Sequence, residues 1–275
     1  MLKVLTCSII ERSVNMVRLA LILLLMLFSN ASFAACEEAF VDEVRRGLGY
    51  IEERHEISQF VVCKPMPDAP GISIVAIARL QKGSEVGNSD VMGEYNLDIS
   101  LVNTSSGDTI AHQFYPRRFV WDGTRFGGIE IDTANYKITS SGRAFGIRSS
   151  EGGTGFSYHQ SLSLYILRGK SLLEILSNAP IIESFNKRFP QCMNETRTGT
   201  RTINMAKKKK NGHFDLLVSE ELVDTRDERI KGATLDEDDC QVKVIKREIK
   251  KYLLRFDGKR YVIPREMVDF ECRIC

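Results

Sequence analysis

Tight-turn signals constrain the fold of this chain more than any other feature of its sequence. They are Asp122-Gly123 within Trp121–Phe126, Asn211-Gly212, and Asp257-Gly258 within Phe256–Tyr261. Asp-Gly and Asn-Gly suit the positive φ angles of a type I′ turn, which joins neighbouring antiparallel strands. We therefore predict three β-hairpins, with aromatic side chains paired across the first and the third.

Hydrophobic periodicity adds strands and one helix to these hairpins. Apolar residues alternate with polar ones over residues 95–101, which predicts a strand with one face in water. Residues 72–80 are apolar enough for a buried strand. A helical period comes before both, at Phe40, Val44, Leu48 and Ile51. The sequence thus predicts a mostly β, α+β fold, sandwich- or barrel-like and built from antiparallel hairpins, whose N-terminal helix packs one face on a sheet.

The first 34 residues have the pattern of a cleavable secretory signal. The apolar run from Leu19 to Phe28 follows Arg18 and is followed by small residues that end at Ala34. A membrane span needs about 20 apolar residues, so this run is too short for an anchor. The start codon is open between Met1 and Met16. We predict a signal peptide over 1–34, a helix and β-rich domain over 35–190, and a C-terminal hairpin region over 191–275 that could belong to the same domain.

Cys36 leaves a second form of export open. Small and apolar residues precede this cysteine, as they do in lipid-modified proteins. A lipidated Cys36 would anchor the chain to a membrane without spanning it. The expected location is therefore periplasmic or secreted, with a lipoprotein as the alternative.

The charge balance bears on the class of partner. The formal net charge of +2 comes from the signal, which holds Lys3, Arg12 and Arg18 against Glu11. The mature chain then carries equal numbers of basic and acidic residues. A neutral chain argues against a dedicated nucleic-acid binder.

The cysteine content fits an exported protein. Cleavage removes Cys7 and leaves an even set, which suggests disulfides in an oxidising compartment. The candidates are Cys36, Cys63, Cys192, Cys240, Cys272 and Cys275. We predict that Cys36 pairs with Cys63, because these two stand apart from the rest. Cys272 and Cys275 have C-x-x-C spacing, which leaves open a redox pair or half a zinc site beside ordinary structural disulfides.

A resemblance covers about residues 72–220. Blocks such as Asp132-Thr133-Ala134-Asn135-Tyr136 and Arg143-Ala144-Phe145-Gly146-Ile147-Arg148 resemble those of a loose group of exported bacterial proteins of unknown function. The resemblance implies a fold and a compartment, and it implies no activity.

Two arginines in these blocks are candidate binding residues. Arg143 and Arg148 follow Asp132 closely enough for a carboxylate–guanidinium contact between neighbouring strands. The alternative is that the two arginines bind an anionic ligand. We favour the structural contact, since partly buried arginines usually bind a neighbouring carboxylate or carbonyl.

Catalytic and metal-binding patterns do not emerge from the sequence. Ser157 and His159 resemble part of a nucleophile elbow, but the second glycine of that motif is missing. The four histidines lack metal-ligand spacing, and Asp236–Asp239 lacks the alternation of a calcium loop. We therefore expect no cofactor and no catalytic residues.

Trp121, the only tryptophan, is the remaining candidate. We predict that it packs against Phe126 across the first hairpin; an exposed Trp121 would instead mark a binding surface. On these grounds the sequence favours a non-catalytic envelope protein that binds a protein partner, including an inhibitor or immunity-like role. The alternative is an envelope hydrolase with an unrecognised active site.

Overall fold

The computed structural model describes residues 37–50, 59–81, 93–121, 124–153, 157–187, 193–230 and 240–268. The predicted signal peptide falls outside these ranges, as do the turn residues Asp122 and Gly123. The same holds for four cysteines: Cys36, Cys192, Cys272 and Cys275. The described residues from Glu38 onward form one compact unit.

An N-terminal helix, α1, spans Glu38–Gly47. Val41 and Val44 are buried on one face, and Phe40 and Leu48 are partly buried beside them. This face packs on Val75, Ile77 and Val102 of the first sheet. The predicted helix and its packing on a sheet are confirmed. Ile51, the last residue of the predicted period, lies outside the described residues.

The first sheet has four antiparallel strands in the order β1-β2-β3-β4. They are β1 (Gln59–Pro65), β2 (Ile72–Leu80), β3 (Gly93–Asn103) and β4 (Thr109–Trp121). The predicted buried strand over 72–80 is β2, and its residues from 74 to 78 are almost fully buried. One face of this sheet contacts α1, and the other contacts the second sheet.

The second sheet has seven antiparallel strands in the order β11-β10-β9-β8-β7-β6-β5. They are β5 (Thr124–Tyr136), β6 (Ala144–Gly153), β7 (Ser157–Arg168), β8 (Ser171–Lys187), β9 (Glu195–Lys210), β10 (His213–Arg229) and β11 (Cys240–Leu254). A short helix, α2 (Arg265–Val268), follows. The mostly β, α+β fold is therefore as predicted. β8 and β9 pair across the boundary placed near residue 190.

Two apolar clusters hold the strands together. The first joins both sheets and contains Tyr95, Phe119, Phe126 and Phe145. The second joins β7 and β8 to β9, β10 and β11, with Leu162 and Leu164 packed near Leu216 and Val218. β8 pairs with β9 only over Ile182–Lys187. The second cluster therefore contains residues from both parts of the seven-stranded sheet, which are paired with each other only over this short stretch.

The hairpin predicted at Trp121–Phe126 is wrong. β4 belongs to the first sheet and β5 to the second, so the strands on either side of Asp122-Gly123 are not paired. The aromatic residues pack between the sheets instead, since Phe126 stacks on Phe119 with ring centroids 4.6 Å apart. A turn dipeptide reverses the chain, but it does not determine which strand becomes the neighbour.

The other two turns are close to their predictions. Asn211 and Gly212 both have positive φ and join β9 to β10 through the pair Lys210–His213, so this two-residue hairpin is confirmed. At the third turn Phe256 pairs with Tyr261, which leaves a four-residue loop. Only Gly258 has positive φ there, and the Asp257 carboxylate accepts the amides of Lys259 and Arg260 instead. The hairpin is right and its type I′ geometry is wrong.

The water-exposed face predicted for β3 is also wrong. Asp98 and Ser100 lie on that face, yet each is only 1% exposed. The helix α1 and the residue Tyr50 that follows it cover this side of the sheet. Alternation within one strand cannot reveal that a distant helix buries its polar face.

Candidate functional site

Arg148 binds Asp132, in agreement with the predicted carboxylate–guanidinium contact. Its Nε and Nη2 atoms donate to Asp132 Oδ2 at 2.9 and 2.7 Å, between β6 and β5. Tyr136 donates its hydroxyl to the same oxygen at 2.8 Å. Burial raises the pKa of Asp132, but hydrogen bonds from the Ala134 amide, Arg148 and Tyr136 outweigh it, and the net pKa is lowered. The carboxylate thus stays charged and neutralises Arg148.

Arg143 does not join Arg148. Its Nη1 donates to Asp68 Oδ2 at 3.0 Å, and its Nη2 donates to the Thr133 carbonyl at 2.7 Å. The two guanidinium groups therefore bind different acceptors of this chain. Trp121 ends β4, where its backbone pairs with Gly93; its side chain lies outside the described residues, and its packing stays a prediction.

Ser157 and His159 are not arranged as a nucleophile and a base. Both are described, and no hydrogen bond joins them. His159 Nδ1 lies 3.7 Å from Glu183 Oε1, too far for a hydrogen bond. The other Glu183 oxygen binds Arg201. The Glu183 carboxylate is therefore already bound to an arginine.

Glu151 lies opposite His159 on β6 and β7. Burial raises its pKa, and the nearby His159 opposes that shift only in part. A carboxyl group whose pKa is higher in the folded than in the unfolded protein stabilises the fold when it is protonated. This stabilisation is lost as pH rises through the pKa of the folded state. Glu151 therefore destabilises the fold at neutral pH.

We expect Glu151→Gln to raise the unfolding midpoint in urea at pH 7 relative to the unsubstituted protein. At pH 4, below the usual pKa of glutamate, the two proteins should unfold at nearly the same urea concentration. Glu130→Gln, at an exposed position on β5, is the matched control. An increase in the unfolding midpoint that is equal at both pH values would contradict the raised pKa of Glu151.

Asp98 is the centre of a polar cluster that the sequence did not predict. Its Oδ1 accepts the Tyr50 hydroxyl and His112 Nε2, each at 2.9 Å. Arg79 Nη2 lies 3.3 Å from Oδ2, and its guanidinium stacks over the Tyr50 ring. Burial, and then the charge of Asp98, raises the pKa of Tyr50 to about 12. The cluster joins the end of α1 to β2, β3 and β4.

The Asp98–His112 pair has the geometry in which a carboxylate orients a histidine base. Ser100 is directly opposite His112 in the β3–β4 register. Ser100 is, however, 1% exposed, so a substrate cannot reach its hydroxyl. Because these residues lie beneath α1, we assign the cluster a structural role, which is to hold α1 on the first sheet.

Two further arginines, one partly and one fully buried, also bind carboxylates of this chain. Arg118 Nη2 donates to Glu174 Oε1 at 2.5 Å, between β4 and β8. Arg201 on β9 is fully buried, binds Glu183, and lies 2.6 Å from Glu220 Oε1. Among the described residues, no group of acidic, histidine or cysteine side chains could hold a metal ion.

β11 differs from all these sites because it is exposed. It is at the end of the strand order, and residues 241–247 are exposed without interruption. Val242 is 70% exposed and Ile249 68%, and both lie on the face that β11 turns away from the second apolar cluster. Isolated apolar residues on a surface are ordinary, but a row of them along one strand indicates an interaction surface.

The same strand carries a concentration of positive charge. Its basic residues are Lys243, Lys246, Arg247, Lys250 and Lys251, and Glu248 is its only acidic residue. Glu221 and Glu228 of β10 pair with Arg247 and Lys243 at the surface. Exposed pairs of this kind are weak and open to competition from other anions.

A groove of about 220 Å³ lies beside the bulge of β11. Phe185 and Ile245 supply apolar walls, while Arg197 and Asp224 form an ion pair in it at 3.4 Å. Neither helix of the described part of the chain has the length and apolar character needed to span a bilayer. β11 and this groove are both accessible to another molecule.

No family model, curated protein or solved structure matches this chain.

Proposed function

We propose that the mature chain is an exported, non-catalytic envelope protein that binds another macromolecule through β11. The observation that carries this proposal is the row of exposed apolar and basic residues along β11, with Val242 70% exposed. The buried arginines described above are each engaged by carboxylates of the chain. An inhibitor or immunity-like role fits this arrangement, because such proteins act by covering a partner. A nucleic acid is disfavoured by the neutral mature charge.

The hydrolase alternative has less support. Within the described ranges, two histidines lie near a carboxylate. The serine opposite His112 is buried, and the carboxylate near His159 is already bound to Arg201. A general base must reach the proton that it removes, and a nucleophile must reach the substrate. We therefore retain binding as the function.

Crosslinking tests the binding proposal. A photoreactive amino acid at Ile249 should give an adduct with a second macromolecule in cells that export the chain, in the mature form that starts at Ala35. The matched control places the same group at Lys137, which is exposed and lies outside β11. Excess unlabelled protein should suppress the Ile249 adduct. Equal crosslinking from Ile249 and Lys137 would count against β11 as the binding surface.

Export also predicts disulfides. We propose one at each of the two described cysteines, Cys63 and Cys240. Cys63 lies on β1 in the cluster beneath α1, together with Phe40. Cys36 stands four residues before Phe40 and two before the start of α1. We propose that Cys36 is the partner of Cys63.

Non-reducing peptide mapping should recover Cys36 and Cys63 in one crosslinked peptide. Cys36→Ser should then destabilise the protein by about 3 kcal/mol, because a closed loop of this size restricts the unfolded chain. When both proteins are reduced, they should unfold at the same denaturant concentration. Lipid on Cys36, or a Cys63 peptide linked to another cysteine, would rule out this pairing.

A further inference from the structure

The backbone edge of β11 is open in the described part of the chain. β10 pairs with one side of this strand from Cys240 to Leu254, and no described strand pairs with the other. Every second residue of an edge strand directs its N–H and C=O groups outward, where they can pair with another extended chain. β11 is 15 residues long, which is unusually long for a strand.

Natural edge strands are often protected against such pairing by lysines and bulges. β11 has both, since its register shifts opposite Asp224/Thr225. Protection against pairing does not explain the exposed apolar residues of β11, however. Val242, Val244 and Ile249 are each more than half exposed, and polar residues at these positions would protect the edge better. The combination suits an edge strand that pairs with some extended chains and not with most others.

From these features we infer that β11 binds an extended, acidic segment of a partner protein, which adds a strand to the seven-stranded sheet. The inference rests on the proposed binding function and specifies its partner. A second copy of β11 is disfavoured, because it would place lysines and arginines near lysines and arginines across the new strand pair, which is destabilising. A partner segment rich in glutamate or aspartate would instead place opposite charges there.

The register of β11 specifies the pattern of that segment. From Lys246 to Leu254 the strand pairs without interruption with β10. Arg247, Ile249 and Lys251 share one face, and Lys246 and Lys250 share the other. The partner should therefore have acidic residues opposite the four basic positions and an apolar residue opposite Ile249.

Synthetic peptides test this inference on the full mature protein. The probe is a fluorescent, end-capped dodecapeptide of glutamates with valine at every fourth position, and the control peptide has lysine in place of glutamate. We expect the acidic peptide to bind at least about tenfold more tightly by fluorescence anisotropy, with affinity that falls as salt rises. Lys246→Glu/Lys250→Glu should reverse the preference, whereas Lys137→Glu/Lys170→Glu, at exposed sites outside β11, should not.

Backbone N-methylation separates strand addition from charge attraction alone. A peptide that pairs as a strand uses the amides of alternate residues, so methylation of one alternate set should abolish binding and methylation of the other should not. Equal loss from both sets, equal affinity for the acidic and basic peptides, or no binding at about 1 mM would overturn the inference. If Ile249 still crosslinks while the acidic peptide fails, the partner docks by another mode and the proposed function stands.

Discussion

Arg201→Met is expected to destabilise the fold by about 3–5 kcal/mol, because it leaves buried carboxylates without a counter-charge. Arg201 and Glu220 are both fully buried, and Glu183 is nearly so. The guanidinium also donates to the Met267 carbonyl at 3.1 Å and thereby holds α2 against β9. Urea unfolding followed by far-ultraviolet circular dichroism would measure the loss.

Arg226→Met is the matched control for this substitution. Arg226 also pairs with a glutamate, Glu195, but its side chain is half exposed. We expect a loss of less than about 1 kcal/mol there, since exposed ion pairs contribute little. The double variant Arg201→Met/Glu220→Gln should recover part of the Arg201→Met loss. If Arg201→Met and Arg226→Met unfold at the same urea concentration, the buried arrangement does not stabilise the fold.

Local signals in the sequence predicted local structure well. The apolar run over 72–80 is β2, the helical period from Phe40 is α1, and Asn211-Gly212 forms a hairpin. Each of these depends on residues that are neighbours in the chain. The Asp122-Gly123 prediction failed because the choice of sheet for β5 depends on Phe126 packing against Phe119 and Phe60, which are distant contacts.

The candidate site was predicted less well. Arg148–Asp132 could be found from sequence because strand neighbours bring these residues together within one hairpin. Asp98 could not, since its partners Tyr50, Arg79 and His112 come from separate elements. The alternation of valines and lysines near Val242 was a usable signal for an exposed strand. Only the strand order shows that this strand is at an edge.

Asp98→Ala is expected to cost about 3–5 kcal/mol, comparable to the loss at Arg201. The substitution removes the acceptor of Tyr50 and His112 and the counter-charge of Arg79, whose side chain is only 14% exposed. Because the Tyr50 amide donates to the Arg45 carbonyl of α1, the helix should also lose its attachment to β3. Hydrogen exchange of the α1 amides should accelerate more than that of β7, which has no contact with the cluster.

A graded series separates the charge of Asp98 from its hydrogen bonds. Asp98→Asn keeps an acceptor oxygen but removes the charge, so we expect a loss smaller than that of Asp98→Ala. Asp108→Ala, at an exposed turn where the carboxylate accepts Ser106, should change stability by less than about 1 kcal/mol. Binding of the acidic peptide to β11 should be unchanged in the folded Asp98→Asn protein. If Asp98→Asn abolished an activity while stability was preserved, Asp98 and His112 would be functional groups, and the structural assignment of this cluster would be wrong.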